Sequence, residues 1–132
     1  MEERLVRIGT TYLPVTNVER SADWYVSMLG AELTYQDQDK AIINLANQSI
    51  FLVKSPDHQS ANFIDSYGNE QFSITFEVDG LKALEELRLS FITNGIQTGE
   101  IENRGHAGRN FVFQDLDGNK FDVWSELSLH WK

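Results

Sequence analysis

Val15-Thr16-Asn17-Val18 and Val78-Asp79-Gly80-Leu81 each close a strand-like run and open an amphipathic helix, and reading them as one motif used twice decides the fold. Before the first, Thr11, Leu13 and Val15 share one side of a two-residue period and Thr10, Tyr12 and Pro14 the other, which predicts a strand over Arg7 to Val15. After it, Asn17 is placed to cap a helix whose Val18, Ala22, Tyr25 and Leu29 recur at helical spacing until Gly30 stops it. Strands are then expected over Glu32 to Gln36, Lys40 to Leu45 and Ser49 to Lys54, with a turn at Ala46-Asn47-Gln48. Module one, over about residues 5–54, reads βαβββ.

The second motif repeats the order over about residues 71–126. Ile74, Phe76 and Val78 alternate with Ser73, Thr75 and Glu77 in a strand predicted from Gln71 to Val78. Asp79 is the expected cap of a helix that gathers Leu81, Leu84, Leu87 and Phe91 on one face and ends at Asn94-Gly95. Strands over Gln97 to Ile101, Phe111 to Gln114 and Lys120 to Ser125 complete it, and the polar stretch 55–70 connects the halves.

Lys40 to Val53 falls without a gap on Phe111 to Trp124, which sets Leu45 on Leu116, Asn47 on Gly118, Ile50 on Phe121 and Leu52 on Val123. The first strands overlay with a shorter offset, Val15 on Val78, so module two carries an insertion around Glu100 to Arg109 that holds Glu102, Arg104, His106 and Arg109. Neither half buries its apolar face alone. The expected fold is therefore α+β, a single domain over residues 1–132 whose two tandem βαβββ modules form a curled mixed sheet around a shared cleft.

The composition excludes several function classes. Without cysteine there is no disulfide framework, thiolate nucleophile or thiolate metal site. A formal charge of −9, with Arg and Lys scattered singly, disfavours nucleic acid and anionic membrane. No segment approaches the roughly 20 apolar residues of a membrane span, and the start resembles no signal peptide, so a cytoplasmic location is expected.

Val15 through Ser21, Trp24-Tyr25 with Leu29-Gly30, Phe76-Glu77-Val78-Asp79 and Phe113-Gln114-Asp115-Leu116-Asp117-Gly118-Asn119 together resemble the vicinal oxygen chelate superfamily, the glyoxalase, bleomycin-resistance and extradiol dioxygenase group. The resemblance implies paired βαβββ units around a cleft, often completed by dimerisation, so a homodimer is expected. It also implies a divalent metal held by His, Gln or Glu at four positions, which carry over onto Thr10, Phe51, Ser73 and Asp122. Two hydroxyls and a phenyl ring cannot supply the donors a catalytic metal needs, so no metal and no other cofactor is expected.

Asp115, Asp117, Asn119 and Glu126 match positions of a calcium-loop count, but Lys120 stands where that loop requires glycine and the flanks read as strands. A hairpin turn with Asp side chains bonding local amides is expected instead. Asp122 alternates with Phe121 and Val123, so its carboxylate points away from them, where it can pair with Arg or Lys, touch a ligand or act as a base. Glu77 lies near the end of its strand on the face of Ser73 and Thr75 and reads as a solvated or paired acid. Tyr12, Phe51, Phe113 and Trp124 are candidate aromatic walls of a pocket, and each fits core or dimer interface equally well. His106, in Gly105-His106-Ala107-Gly108 ahead of Arg109, reads as an exposed loop histidine that could also move a proton, with Arg109 as an anion contact. Nothing ties His58 or His130 to chemistry.

These residues point to a metal-independent protein that binds a small organic molecule, aromatic or cationic. The ligand-binding candidates are Tyr12, Phe51, Ser73, Thr75, Glu77, Arg109, Phe113, Asp122 and Trp124. The rivals are a lyase or isomerase that uses Asp122 or His106 without a metal, a dioxygenase-type or other metal enzyme with displaced ligands, and an interaction module with no small ligand.

Overall fold

The computed structural model describes Glu2 to Ser128, and His130 lies outside the described residues. Two compact units, residues 1–57 and 58–132, follow the two modules. The class is α+β, and among the described residues no helix is long and apolar enough to cross a membrane.

The first unit runs β1 (Thr10–Val15), α1 (Val18–Leu29), β2 (Glu32–Gln36), β3 (Lys40–Leu45) and β4 (Gln48–Lys54). Its sheet has the order β1-β4-β3-β2, with β1 and β4 parallel and the other pairs antiparallel. Alternation puts Leu13, Val15, Ala41, Ile43, Ile50 and Leu52 on one face, all buried, and α1 lays Val18, Ala22 and Tyr25 over that face. Asn17 caps α1 as expected, its Oδ1 accepting from the Arg20 amide at 2.9 Å, and Gly30 ends it with φ 71°. Ala46 and Asn47, with φ 51° and 63°, form the two-residue turn between β3 and β4, so Gln48 already belongs to the strand. That turn also explains why β1 begins at Thr10 rather than Arg7. Thr10 pairs with Ser49, and beyond it β4 has curved into the turn, leaving residues before Thr10 without a strand partner in this sheet.

The second unit runs β5 (Phe63–Ile64), β6 (Glu70–Gln71), β7 (Thr75–Glu77), α2 (Leu81–Thr93), β8 (Asn110–Gln114) and β9 (Lys120–Trp124). Strands β7, β9 and β8 form its main sheet, again with a parallel first pair, and β5 and β6 form a small hairpin. From His58 onward the polar connection therefore belongs to this unit. The Ala61 amide donates to Asn119 Oδ1 at 2.8 Å, Asn62 Nδ2 donates to the Gly118 carbonyl at 2.7 Å, and Asn62 Oδ1 accepts from the Lys120 amide at 2.9 Å. The core is aromatic: Phe113 lies 4.8 Å from Phe91, 5.3 Å from Phe121 and 6.3 Å from Phe76 between ring centroids, with Leu84 fully buried.

Four local expectations for module two change, the first being the strand over Gln71 to Val78, which is confined to Thr75–Glu77 with Gln71 in β6. Gln97 to Ile101 is not a strand: Thr98 bridges Phe113, with Gly99 giving its amide to the Val112 carbonyl at 2.7 Å, and Glu102 bridges Asn110 in a register one residue different, so Glu100 and Ile101 stand outside the ladder. Asp79 does not cap α2. Gly80 holds that position with φ 104°, a conformation that favours glycine, and gives its amide to the Ser125 carbonyl at 2.9 Å. Leu81, expected on the apolar face, begins the helix at 48% exposure.

The repeat survives at the level of hydrogen-bond register. Tyr12 pairs with Phe51 across β1 and β4, and Thr75 pairs with Asp122 across β7 and β9, the two pairs that the sequence offsets make equivalent. The turn at Asp115 to Asn119 is a hairpin turn, as expected. Asp115 Oδ1 accepts from the amides of Asp117 and Asn119, each at 2.9 Å, and Asn119 Nδ2 donates to Asp115 Oδ2 at 2.8 Å.

Candidate functional site

Burial of one face of the module-one sheet leaves the other to carry chemistry, and there the register lines up Tyr12, Phe51, Ile42 and Tyr35 in a single row across all four strands. The Tyr12 and Phe51 rings meet at 5.1 Å, and Tyr12 is 62% exposed. The neighbouring row Thr10, Ser49 and Asn44 is polar, and the row on the other side is Pro14, Val53 and Lys40. An apolar strip with one polar margin and a lysine on the other is a surface suited to the flat part of an organic molecule.

At one end of the row, Tyr35 Oη donates to Asp37 Oδ2 at 2.7 Å, Lys40 Nζ reaches the same oxygen at 3.1 Å and lies 5.3 Å from the Tyr35 ring centroid. The Tyr35 hydrogen bond, then the Asp39 amide and Lys40, hold the Asp37 carboxyl well below the usual carboxylate range, and the bond to Asp37 pushes the Tyr35 hydroxyl up. Because the folded pKa is depressed, any stability the group contributes is complete above its ordinary value of 3.8 and fades as acid protonates it below that value. Tyr35→Phe removes the leading cause. The Asp37 carboxyl should then titrate closer to 3.8 in a carbon-detected NMR titration, and an unchanged titration would contradict the assignment.

In module two, Asp122 projects from β9 away from the buried Phe121 and Val123, and it is itself only 2% exposed. Thr75 Oγ1 and Asn110 Nδ2 donate to its Oδ2 at 3.0 and 2.8 Å. Arg104 Nη2 stands 3.1 Å from Oδ1, a charge pairing off the hydrogen-bond direction, so Oδ1 has no hydrogen bond among the described residues. Arg104 Nε donates to Glu102 Oε1 at 3.1 Å, and its guanidinium lies 5.5 Å from the Phe72 ring centroid. Burial works against the charge of Arg104, but Glu102 and Asp122 more than offset it and push its pKa above the ordinary arginine value. Arg104, Glu102, Phe72 and Val112 line a cavity of about 440 Å³, with the Lys120–Glu70 ion pair on its wall.

Several candidates have other duties. Phe113, a candidate pocket wall, is 2% exposed and belongs to the core, because its strand parity places it with Phe111 and Phe121. Ser73 Oγ donates to the Ala61 carbonyl at 3.4 Å. Glu77 accepts from the amide and hydroxyl of Ser128 at 2.9 and 2.7 Å. Arg109 donates its amide to Ser125 Oγ at 2.9 Å and its Nη1 to the Gly108 carbonyl at 3.0 Å. Trp124 Nε1 donates to the Ala107 carbonyl at 2.9 Å, and exposed His106 places its Nδ1 2.8 Å from that same carbonyl. Asp122 and His106 thus have separate partners. Arg104 is the residue that sequence reasoning left without a role. Its signal was indirect: a carboxylate alternating with core residues needs a cation, and the insertion beside β8 offers two arginines, Arg104 and Arg109.

A family model described as the Glyoxalase/Bleomycin resistance protein/Dioxygenase superfamily matches residues 7–123. The chain belongs to this superfamily. Three solved structures of the same fold are a genomically encoded fosfomycin resistance protein, FosX, from Listeria monocytogenes, a lactoylglutathione lyase from Agrobacterium tumefaciens, and a glyoxylase/bleomycin resistance protein/dioxygenase domain from Frankia sp. EAN1pec. The first is 16% identical with TM-score 0.75, covers 94% of this chain and 93% of its own, and is complexed with Mn(II) and sulfate. The second is 15% identical with TM-score 0.70 over 92% of this chain and 95% of its own, and the third 18% with 0.70 over 94% and 100%. Identities this low show the fold alone. No curated protein matches the chain.

Superfamily membership makes a divalent ion the natural question, and the side chains answer it poorly. Of Thr10, Phe51, Ser73 and Asp122, only Asp122 offers a carboxylate, and Arg104 already matches its charge. Among the described residues no three His, Cys, Asp or Glu side chains gather where they could hold a metal. The residues present do not fit the ion.

Proposed function

We propose that this superfamily member binds a small organic molecule without a metal, seating an aromatic or cationic group on the exposed face of module one, and that it works as a homodimer. The row of Tyr12, Phe51, Ile42 and Tyr35 carries the reading, because an open sheet face with aromatic side chains in one register gives a flat ligand contact area at little entropic cost. Ring faces and a formal charge of −9 both favour a cationic group over an anionic one.

A thermal-shift screen of cationic and neutral aromatic compounds tests this. A ligand at 100 times its Kd stabilises by about 2.7 kcal/mol, enough for a shift of several degrees. Phe51→Arg places a like charge in the row and should abolish the shift while leaving the melting point of the free protein nearly unchanged. The reading fails if no compound gives a saturable shift, or if Phe51→Arg leaves such a shift unaltered. Turnover without added metal that Asp122→Asn abolishes would replace it with an enzymatic one.

A further inference from the structure

The Asp122 cluster carries its own cation, and the shape of its surroundings says what kind. Arg104 presents one edge of its guanidinium, Nε and Nη2, to two different carboxylates, Glu102 and Asp122, each at 3.1 Å, and its Cζ lies over the Phe72 ring, 5.5 Å from the centroid. Two carboxylates along one edge and an aromatic ring under the central carbon match a planar delocalised cation. They match a divalent ion badly, since such an ion needs several His, Asp or Glu donors gathered around it, which the described residues do not provide, and Phe72 offers it nothing. Asn110 Oδ1 and Asp122 Oδ1 are buried without a hydrogen bond among the described residues, so Arg104 Nη2, 3.1 Å from Asp122 Oδ1, is the charge that offsets this buried carboxylate oxygen. The nearby Lys120 is taken by Glu70 at 3.2 Å.

We infer that module two contains a slot selective for guanidinium-type cations, filled by Arg104 at the very carboxylate that the superfamily resemblance assigns to a metal ligand. The slot is built from module-two residues, Phe72, Glu102, Arg104 and Asp122. Since Arg104 also lines the cavity of about 440 Å³, truncating its side chain opens the slot to solutes. Arg104→Ala becomes a receptor for small guanidinium compounds and does not become a metal site.

Thermal melts of the wild type, Arg104→Ala and Arg104→Ala/Asp122→Asn in methylguanidinium, methylammonium or Mn(II), at fixed ionic strength, test this. Arg104→Ala should melt below the wild type and recover saturably in millimolar methylguanidinium, with methylammonium on the order of tenfold weaker because it lacks the planar fork. The wild type and the double variant should show no saturable response to any of the three. If Arg104→Ala does not fold, Arg104→Lys replaces it: it should melt below the wild type, whereas a melting point equal to wild type overturns the need for a planar cation. The inference is also overturned by saturable Mn(II) binding to the wild type that Asp122→Asn removes. It falls equally if folded Arg104→Ala responds to Mn(II) or methylammonium as strongly as to methylguanidinium, or to none of them.

Discussion

Gly108→Ala should destabilise the protein by about 2–5 kcal/mol, adding about 1–2 kcal/mol for a left-handed residue with a Cβ to about 1–3 kcal/mol for overpacking. Gly108 has φ +79°, and a Cβ there would lie 2.7 Å from Trp124 Nε1 and 2.8 Å from both Ser125 Oγ and Glu126 Cγ. These neighbours cannot easily retreat. The indole is held by its bond to the Ala107 carbonyl, and Ser125, 2% exposed, accepts from the Arg109 amide. Gly105 supplies the control, since φ is +88° there but a methyl group at its Cα would meet nothing within 4 Å. Gly105→Ala should cost only the backbone part, about 1–2 kcal/mol. Urea denaturation followed by tryptophan fluorescence separates the two as a difference in midpoint at constant slope. Equal losses in the two variants would mean that the loop over Trp124 moves aside at no cost. Against a total stability of about 5–15 kcal/mol, the expected difference is large.

Phe113→Ala should cost about 3–5 kcal/mol, the usual range for removing a buried phenyl ring. Phe113 is 2% exposed and touches Phe76, Phe91, Phe111 and Phe121, so its removal opens a cavity that four other rings cannot all collapse into. Phe51→Ala should cost about 1 kcal/mol or less, because the ring is half-buried with Tyr12 as its aromatic neighbour. The pair assigns each phenylalanine a role. One is core, and its loss reads out in the unfolding midpoint. The other belongs to the exposed row, and its loss reads out in ligand binding. A Phe113→Ala midpoint within about 1 kcal/mol of wild type would return that residue to the candidate pocket walls.

Much of the scaffold was legible because it rests on local rules. Asn17 and Gly30 bracket α1 as the sequence predicts, since a side-chain acceptor at the start and a left-handed residue at the end act within one helical turn. The side from which Asp122 projects follows from its alternation with Phe121 and Val123, whereas Phe113, expected as a pocket wall, lies in the core, where its parity with buried Phe111 puts it. Errors gathered where local rules compete. Asp79 has the chemistry of a cap, but Gly80 has the conformational freedom the strand-to-helix turn demands. Gln97 to Ile101 looks extended, yet it meets β8 only at isolated bridges.

By itself, then, the sequence determined the βαβββ order of module one, the first strand, helix and final hairpin of module two, the superfamily and the offsets that make Tyr12 equivalent to Thr75 and Phe51 to Asp122, because strand and helix periods and a repeated offset survive from chain to ladder. Only tertiary structure decided which cation meets Asp122. Arg104 and Arg109 lie five positions apart in one insertion without periodicity, and the bridge of Glu102 to Asn110 brings Arg104 to the carboxylate while Arg109 bonds Ser125 and Gly108. A partner brought in by a loop is set by where the backbone turns, which no local pattern encodes.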